Sequence, residues 1–171
     1  YHMEDDPALV SHRLSREETV LAVPEPMAAE CLSPEEIRGF KEEGIVSLRP
    51  FSGCPFVRMD ADTWMGEQFD RYCREDGFDP KIFVISQSVL TVLECCAEGI
   101  GATLVPAGYL DHLTAEQRRG MVFFRWRYPD VTLLGAVLHL KSSYITKAAM
   151  DFVKCSQKIC GEEESLWNGF F

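Results

Sequence analysis

Between residues 56 and 106, short apolar segments alternate with amphipathic helical patterns, and this alternation constrains the fold more than any other feature. Residues 56–59 and 82–85 are the first two predicted strands of this region. The segment between them carries four apolar residues at the spacing of one buried helix face: Met65, Phe69, Tyr72 and Cys73. Because residues 82–85 are apolar at successive positions, their strand is predicted to lie in a parallel sheet covered on both faces.

A second strand–helix–strand unit follows without interruption. A helix is predicted from Ser86 or Ser88 to Gly99, and residues 102–105 form the next strand before Pro106. Strands that alternate with helices at this spacing predict a doubly wound α/β layer.

The residues before this layer supply a further strand and a short helix. Residues 19–23 are apolar and rich in β-branched side chains, and Pro24 ends the run, which predicts a buried strand followed by a connector. Ser33 and Pro34 have the pattern of a capped helix start, and Gly44 closes that helix.

The residues after the layer predict two strands and a last helix. The strands are residues 121–124 and 131–140, with a turn at residues 128–130 between them. The helix ends at Gly161, and the tail 162–171 has no assigned structure.

Composition and charge exclude two classes of function. Hydrophobic residues make up 46% of the 171 residues and charged residues 26%, and charges interrupt every apolar run before it could span a membrane. The formal net charge of −10 repels a phosphate backbone, so direct nucleic-acid binding by these residues is not expected.

The seven cysteines are odd in number and form neither a disulfide framework nor paired zinc-binding motifs. This pattern, with no export signal at the N-terminus, predicts a protein of the reducing cytoplasm. The four histidines are scattered, and no nucleophile elbow, phosphate-binding glycine loop or zinc-protease motif occurs. The sequence therefore favours a binding protein over an enzyme, with no cofactor and no metal.

Two segments resemble the effector-binding domain of LysR-type transcriptional regulators. Residues 55–59 together with 69–80 are similar to the family's "PFI" strand and its helix ending in "aGf.P". Residues 86–106 resemble its strand–Ser–helix segment ending in "VaaGlGialLP". The two segments occur in the family's order and at its spacing, and the resemblance extends from about residue 10 to residue 159.

The resemblance implies an α/β, periplasmic-binding-protein-like (type II) fold of two lobes with a small-molecule cleft between them. One lobe is expected to be complete and the other partial, because the family's opening strand–helix–strand elements have no counterpart here. The expected division is a partial first lobe with its crossover, a complete second lobe, the return crossover with the rest of the first lobe, and a tail: residues 1–29, 30–113, 114–161 and 162–171.

The function that the resemblance implies is ligand sensing and oligomerisation in a bacterial regulator. A small organic effector with a carboxylate or aromatic group would bind the cleft and control the geometry of a homodimer or tetramer on DNA. DNA would be contacted only through a winged-helix domain outside these residues. A contact with RNA polymerase is left open, and no membrane partner is expected.

Two helix starts that follow predicted strands supply the candidate ligand-binding residues. Ligands of open α/β sheets bind beyond the carboxyl ends of the strands, where helix N-termini present free N–H groups. Asp62, Ser86 and Ser88 could simply cap their helices, and the charge of Asp62 would compete with an anionic ligand. The preferred residues at these two starts are Thr63, Trp64, Gln87 and Ser88.

Two alternatives remain at this stage. A thiol-based redox sensor of the same family would use Cys54 and Cys73, although Cys73 falls on the buried face of its helix. A solute-binding protein of a transporter would share the fold but would need an export signal.

Overall fold

The computed structural model of the protein describes residues 6–127 and 132–163. These residues belong to two compact units, one containing residues up to 17 with those from 132 to 170, and one containing residues 18–131. The lobe boundaries expected at residues 29/30 and 113/114 concern the family's fold and remain predictions.

Six strands and six α-helices form the described parts of the chain. The strands are β1 (Leu9–Pro24), β2 (Pro55–Met59), β3 (Lys81–Ser86), β4 (Thr103–Pro106), β5 (Met121–Arg125) and β6 (Thr132–Leu140). The helices are α1 (Glu25–Cys31), α2 (Pro34–Glu43), α3 (Trp64–Asp76), α4 (Val89–Ala97), α5 (Ala115–Arg119) and α6 (Lys147–Glu163).

Strand β1 is central to the larger unit. Its residues from 19 onward lie between β4 and β5 and run antiparallel to both. Val20 to Val23 are fully buried, because a strand flanks each edge and side chains cover both faces. The predicted strand 19–23 is therefore confirmed, but β1 starts at Leu9, where polar residues alternate and no apolar run marks a strand.

Strands β2 and β3 pair in parallel, as the sequence predicts. Strand β2 also meets the residue before β4, because the Val57 N–H donates to the Ala102 carbonyl at 2.9 Å. The prediction that β3 is covered on both faces is wrong: Phe83 is 67% exposed and Ile85 53%. Among the described residues β3 pairs only with β2, so it is an edge strand with one open face.

The Gly-Ile-Gly segment after α4 fixes how that helix meets the sheet. The Gly99 and Ile100 N–H groups donate to the Cys96 and Cys95 carbonyls, which ends the helix. A Cβ on Gly101 would lie 2.8 Å from the Pro55 carbonyl oxygen, so only glycine lets these two backbones approach. The helix end at Gly99 agrees with the sequence prediction.

The smaller unit pairs the first part of β1 with β6 and includes α6. His12 and His139 stack at 5.2 Å between ring centroids, and the Gln157 side chain donates to the Arg13 carbonyl. The predicted end of the last helix at Gly161 is wrong, because α6 continues to Glu163 and a single glycine weakens a helix by only about 1 kcal/mol. The predicted turn 128–130 and the tail from residue 164 lie outside the described residues.

None of the helices in the described residues is long and apolar enough to cross a membrane.

Candidate functional site

The carboxyl ends of β2 and β3 meet at one edge of their sheet. Met59 and Ser86, the last residues of the two strands, are paired in register. The backbone N–H of Asp60 donates to the Ser86 carbonyl at 2.9 Å, which links the two segments that leave the strands. We call these segments the 60–63 turn and the 86–88 turn. The four predicted ligand-binding residues lie in these turns or directly after them.

The 60–63 turn ends in a closed set of hydrogen bonds at the start of α3. The Thr63 hydroxyl accepts from the Gly66 N–H at 3.1 Å and donates to the Asp60 carbonyl at 2.6 Å. Thr63 is therefore the cap of α3, whereas the sequence suggested Asp62 as the possible cap. The reason is geometric, because Asp62 lies within the turn that positions Thr63. The Asp62 N–H donates to the Asp60 carboxylate.

In the 86–88 turn, the capping hydroxyl of Ser88 uses only part of its hydrogen-bonding capacity. The Ser88 hydroxyl accepts from the Thr91 N–H at 3.3 Å, and the Ser88 N–H donates to the Ser86 hydroxyl at 3.2 Å. Within the part of the chain that the structure describes, the Ser88 hydroxyl donates to no acceptor. Ser88 and Gln87 are both exposed. The Ser88 hydroxyl hydrogen and the Gln87 amide are thus available to a solute.

Trp64 and Arg58 flank the 60–63 turn in different roles. Trp64 is the first residue of α3. Its side chain is partly exposed, so part of the ring is accessible to solvent and part is covered by the protein. Arg58 forms an ion pair with Asp70 of α3 at 3.0 Å, which commits its guanidinium group to the fold.

The two helix starts differ in charge. The first N–H groups of a helix have no intrahelical partner and attract an anion. In α3 this attraction is offset by Asp60 and Asp62 in the turn and by Glu67 in the first helical turn. The first turn of α4 carries no acidic residue. An anionic group is therefore stabilised more at the start of α4 than at the start of α3.

The two cysteines of the redox alternative have different surroundings. Cys54 contacts Cys31, with 2.8 Å between their sulfur atoms, and no contact between Cys54 and Cys73 is recorded in the described residues. Cys73 is buried in α3, and burial raises the pKa of its thiol to about 12, with a further contribution from Asp70. A thiol with so high a pKa reacts slowly with solutes at neutral pH, and no second thiol contacts Cys73 among the described residues to compensate by proximity.

The sequence does not predict that Asp60 acts as a hydrogen-bond acceptor or that Cys31 contacts a second thiol. Asp60 accepts hydrogen bonds from both Asp62 and Thr63, a local pattern that its position two residues before Asp62 could have indicated. Cys31 has no comparable local pattern, because its partner lies 23 positions away. No group of three or more possible metal-ligating side chains occurs among the described residues.

In α/β domains, helix starts beside paired parallel strand ends are common places for small-ligand sites. The chain matches the family model described as the LysR substrate binding domain over residues 1–160. It belongs to that family, and the resemblance found in the sequence is confirmed.

Solved structures support the same fold. The effector-binding domain of QuiR in complex with shikimate matches with 15% identity and a TM-score of 0.63, covering 94% of this chain and 69% of that one. HinK, a LysR family transcriptional regulator from Pseudomonas aeruginosa, matches with 21% identity and a TM-score of 0.64, covering 95% and 51%. The BenM effector-binding domain with benzoate matches with 19% identity and a TM-score of 0.59, covering 98% and 68%.

These likenesses show the fold, which is periplasmic-binding-protein-like as expected. The chain spans about half the length of HinK and about two thirds of the QuiR and BenM domains. A search of curated proteins gives no match.

Proposed function

We propose that this chain is the effector-binding and self-assembly part of a LysR-type transcriptional regulator. It binds a small organic anion at the edge formed by the 60–63 and 86–88 turns, and it performs no chemical turnover. Ser88 and Gln87 provide polar contacts from one turn, and Thr63 with Trp64 shapes the other side.

The observation that carries this proposal is the start of α4 beside the end of β2. The free N–H groups of α4, the unused hydrogen of the Ser88 hydroxyl and the absence of acidic residues in the first turn favour a negatively charged ligand there. Trp64 at the adjacent helix start offers an aromatic face for a ring.

The chemistry of ligands bound by similar domains supports an organic acid. Shikimate is bound by the QuiR domain and benzoate by the BenM domain, and each of these molecules has one carboxylate on a six-membered ring. A carboxylate needs N–H and O–H donors, and the ring needs apolar or aromatic surface. The two turns supply both kinds of contact.

An exposed apolar surface supports self-association. Phe83 and Ile85 lie two residues apart on one face of β3 and are exposed, and Leu90 of α4 and Ile100 are exposed as well. Apolar side chains on an edge strand are stabilised when a second protein surface covers them. We therefore propose a homodimer or tetramer. Substituting Phe83→Glu should shift the mass measured by light scattering toward the monomer.

Binding to DNA is assigned to a winged-helix domain outside these residues. The net charge of −10 opposes a direct contact with DNA, and a similar structure shows full-length CbnR with its target DNA. A regulator of this kind works in the cytoplasm.

A thermal-shift screen of organic acids tests the binding function, with shikimate and benzoate as the first probes. A ligand present at about 100 times its Kd adds about 2.7 kcal/mol to stability, which raises the Tm of a chain this long by roughly 5–10 °C. The methyl ester of each acid that binds is the matched control and should give a much smaller shift. If esters stabilise as well as acids, the site does not recognise an anion. Product formation by an acid that binds would contradict the absence of turnover.

A further inference from the structure

The structure brings together two thiols that lie far apart in the sequence. Cys31 is the last residue of α1, and Cys54 immediately precedes β2. Their sulfur atoms are 2.8 Å apart, and the Cys54 thiol also lies 3.8 Å from the Met27 carbonyl, which can accept its hydrogen. No other thiol–thiol contact is recorded among the described residues.

Both cysteines are held in place by the backbone around them. The Leu32 N–H donates to the Ala28 carbonyl at 2.9 Å at the end of α1. The Cys54 N–H donates to the Phe51 carbonyl at 2.9 Å, which closes a turn before β2. A disulfide needs about 2.05 Å between sulfur atoms, so less than one ångström of side-chain movement would join this pair.

The two thiols differ in access. Cys54 is 3% exposed, and burial raises the pKa of its thiol to about 12, followed by the hydrogen bond with Cys31. Cys31 is partly exposed at the surface. An oxidant from solution therefore reacts first with Cys31, and the buried Cys54 thiol is the resolving thiol.

We propose that Cys31 and Cys54 form a redox couple that closes to an intramolecular disulfide when a small hydroperoxide oxidises Cys31. The Cys31 thiolate attacks the outer peroxide oxygen, the O–O bond breaks, and Cys31 sulfenic acid forms while the released alkoxide or hydroxide takes up a proton. The Cys54 sulfur then attacks the Cys31 sulfur, the S–O bond breaks, and the hydroxide leaves as water with the proton of the Cys54 thiol. Two thiols and one hydroperoxide thus give one disulfide, one alcohol or water, and one water.

The local charge selects among oxidants. Glu30 lies next to Cys31, and the chain has a net charge of −10, so a negatively charged disulfide such as oxidised glutathione is repelled. A neutral hydroperoxide has no such barrier. This couple is different from the pair Cys54 and Cys73 that the sequence suggested, and it does not depend on whether the 86–88 turn binds an effector.

Peroxide treatment of the full chain tests the proposal. Hydrogen peroxide should remove two free thiols, lower the mass by two hydrogen atoms and give a peptide that joins Cys31 to Cys54. The disulfide restricts the unfolded chain, so the Tm should rise by about 5–10 °C and return to its starting value with dithiothreitol. Oxidised glutathione at the same concentration should act more slowly.

Three substitutions complete the test. Cys31→Ser should abolish both the joined peptide and the Tm rise, and this variant is expected to fold because Cys31 is partly exposed. Cys54→Ser should abolish them as well, and Cys73→Ser is the matched control that should retain both. A peptide joining Cys54 to Cys73, a crosslink between chains with Cys31 still free, or oxidation of Cys31 without a disulfide would each overturn the proposal.

Discussion

The 60–63 turn and the 86–88 turn follow neighbouring parallel strands, and each leads into a capped helix, but their polar groups are used differently. Thr63 uses its hydroxyl both to accept and to donate within the protein, and acidic residues surround it. Among the described residues, the Ser88 hydroxyl only accepts a hydrogen bond, from the Thr91 N–H at the longer distance of 3.3 Å. No acidic residue lies in the first turn of α4.

This difference separates a structural helix start from one that can bind a ligand. A hydrogen-bonding group that is already satisfied gains little from a ligand, whereas an unused donor in a region of positive potential gains a new bond. The 60–63 turn therefore positions its side of the site, and the 86–88 turn is expected to hold the ligand. Four substitutions test this contrast, from the largest expected effect to the smallest.

Gly66→Ala should destabilise the protein most. The third helical position is Gly66 in α3 and Thr91 in α4, and a Cβ on Gly66 would lie 1.9 Å from the Asp60 carbonyl oxygen. The turn must shift to admit a methyl group, so we expect a loss of about 3 kcal/mol or more in the free energy of unfolding, measured by urea denaturation.

Gly39→Ala is the matched control for this substitution. Gly39 lies within α2 with nothing within 4 Å of the added Cβ, so alanine should increase stability by about 0.5–1 kcal/mol. Equal stability of Gly66→Ala and the native protein would show that the 60–63 turn is not rigidly packed on α3.

Ser88→Ala should weaken binding of an anionic effector about tenfold or more. A lost hydrogen bond to a charged acceptor corresponds to roughly 1.5–3 kcal/mol of binding free energy. Titration calorimetry with an acid found in the screen measures the change, and urea denaturation should show a loss of stability of about 1 kcal/mol or less from the cap. Unchanged affinity with reduced stability would mean that Ser88 only caps α4.

Thr63→Ala should reduce stability and leave affinity nearly unchanged. The substitution removes the bond from Gly66 and the bond to Asp60, so about 1–2 kcal/mol of unfolding free energy should be lost. Thr63→Ser keeps both bonds and is the control that should restore most of the stability. A large loss of affinity in Thr63→Ala would reverse the roles assigned to the two turns.

Asp62→Asn should have the smallest effect. Asp62 is exposed at the 60–63 turn, and removing its charge lowers the repulsion of an anionic effector at the neighbouring site. Affinity should increase by a few-fold at most, because exposed charges interact by about 0.2–1 kcal/mol, and the increase should diminish as salt is added. An increase that is independent of salt would indicate a structural change rather than an effect of charge.

Local patterns in the sequence were sufficient for most elements around the site. The spacing of Met65, Phe69, Tyr72 and Cys73 defines the buried face of α3, and all four residues are buried. Gly99 ends α4, and its N–H donates to the Cys96 carbonyl of the last turn. These features depend on backbone conformation and on side chains within a few residues of each other, which the sequence determines directly.

Other features were decided only by tertiary packing. The sequence suggested Asp62 as the cap of α3, but the 60–63 turn, whose Asp60 N–H donates to the Ser86 carbonyl at the end of the neighbouring strand, places Thr63 at the cap. The sequence suggested that β3 is covered on both faces. Instead, β3 lies at the edge of the described sheet, which leaves Phe83 and Ile85 exposed. In each case several local arrangements were compatible with the same residues, and the neighbouring strand or turn selected one.

The sequence by itself determined the α/β pattern, the family and the two helix starts, because each depends on short-range periodicity or on motifs of contiguous residues. Only the tertiary structure brought Cys31 to Cys54, since contact between residues 23 positions apart depends on how α1 and the start of β2 pack. The folded turns also show that the Thr63 hydroxyl both accepts and donates within the protein, whereas the Ser88 hydroxyl accepts one bond. Hydrogen bonding and charge at a site depend on neighbours in space, and the order of residues along the chain specifies those neighbours only through the fold.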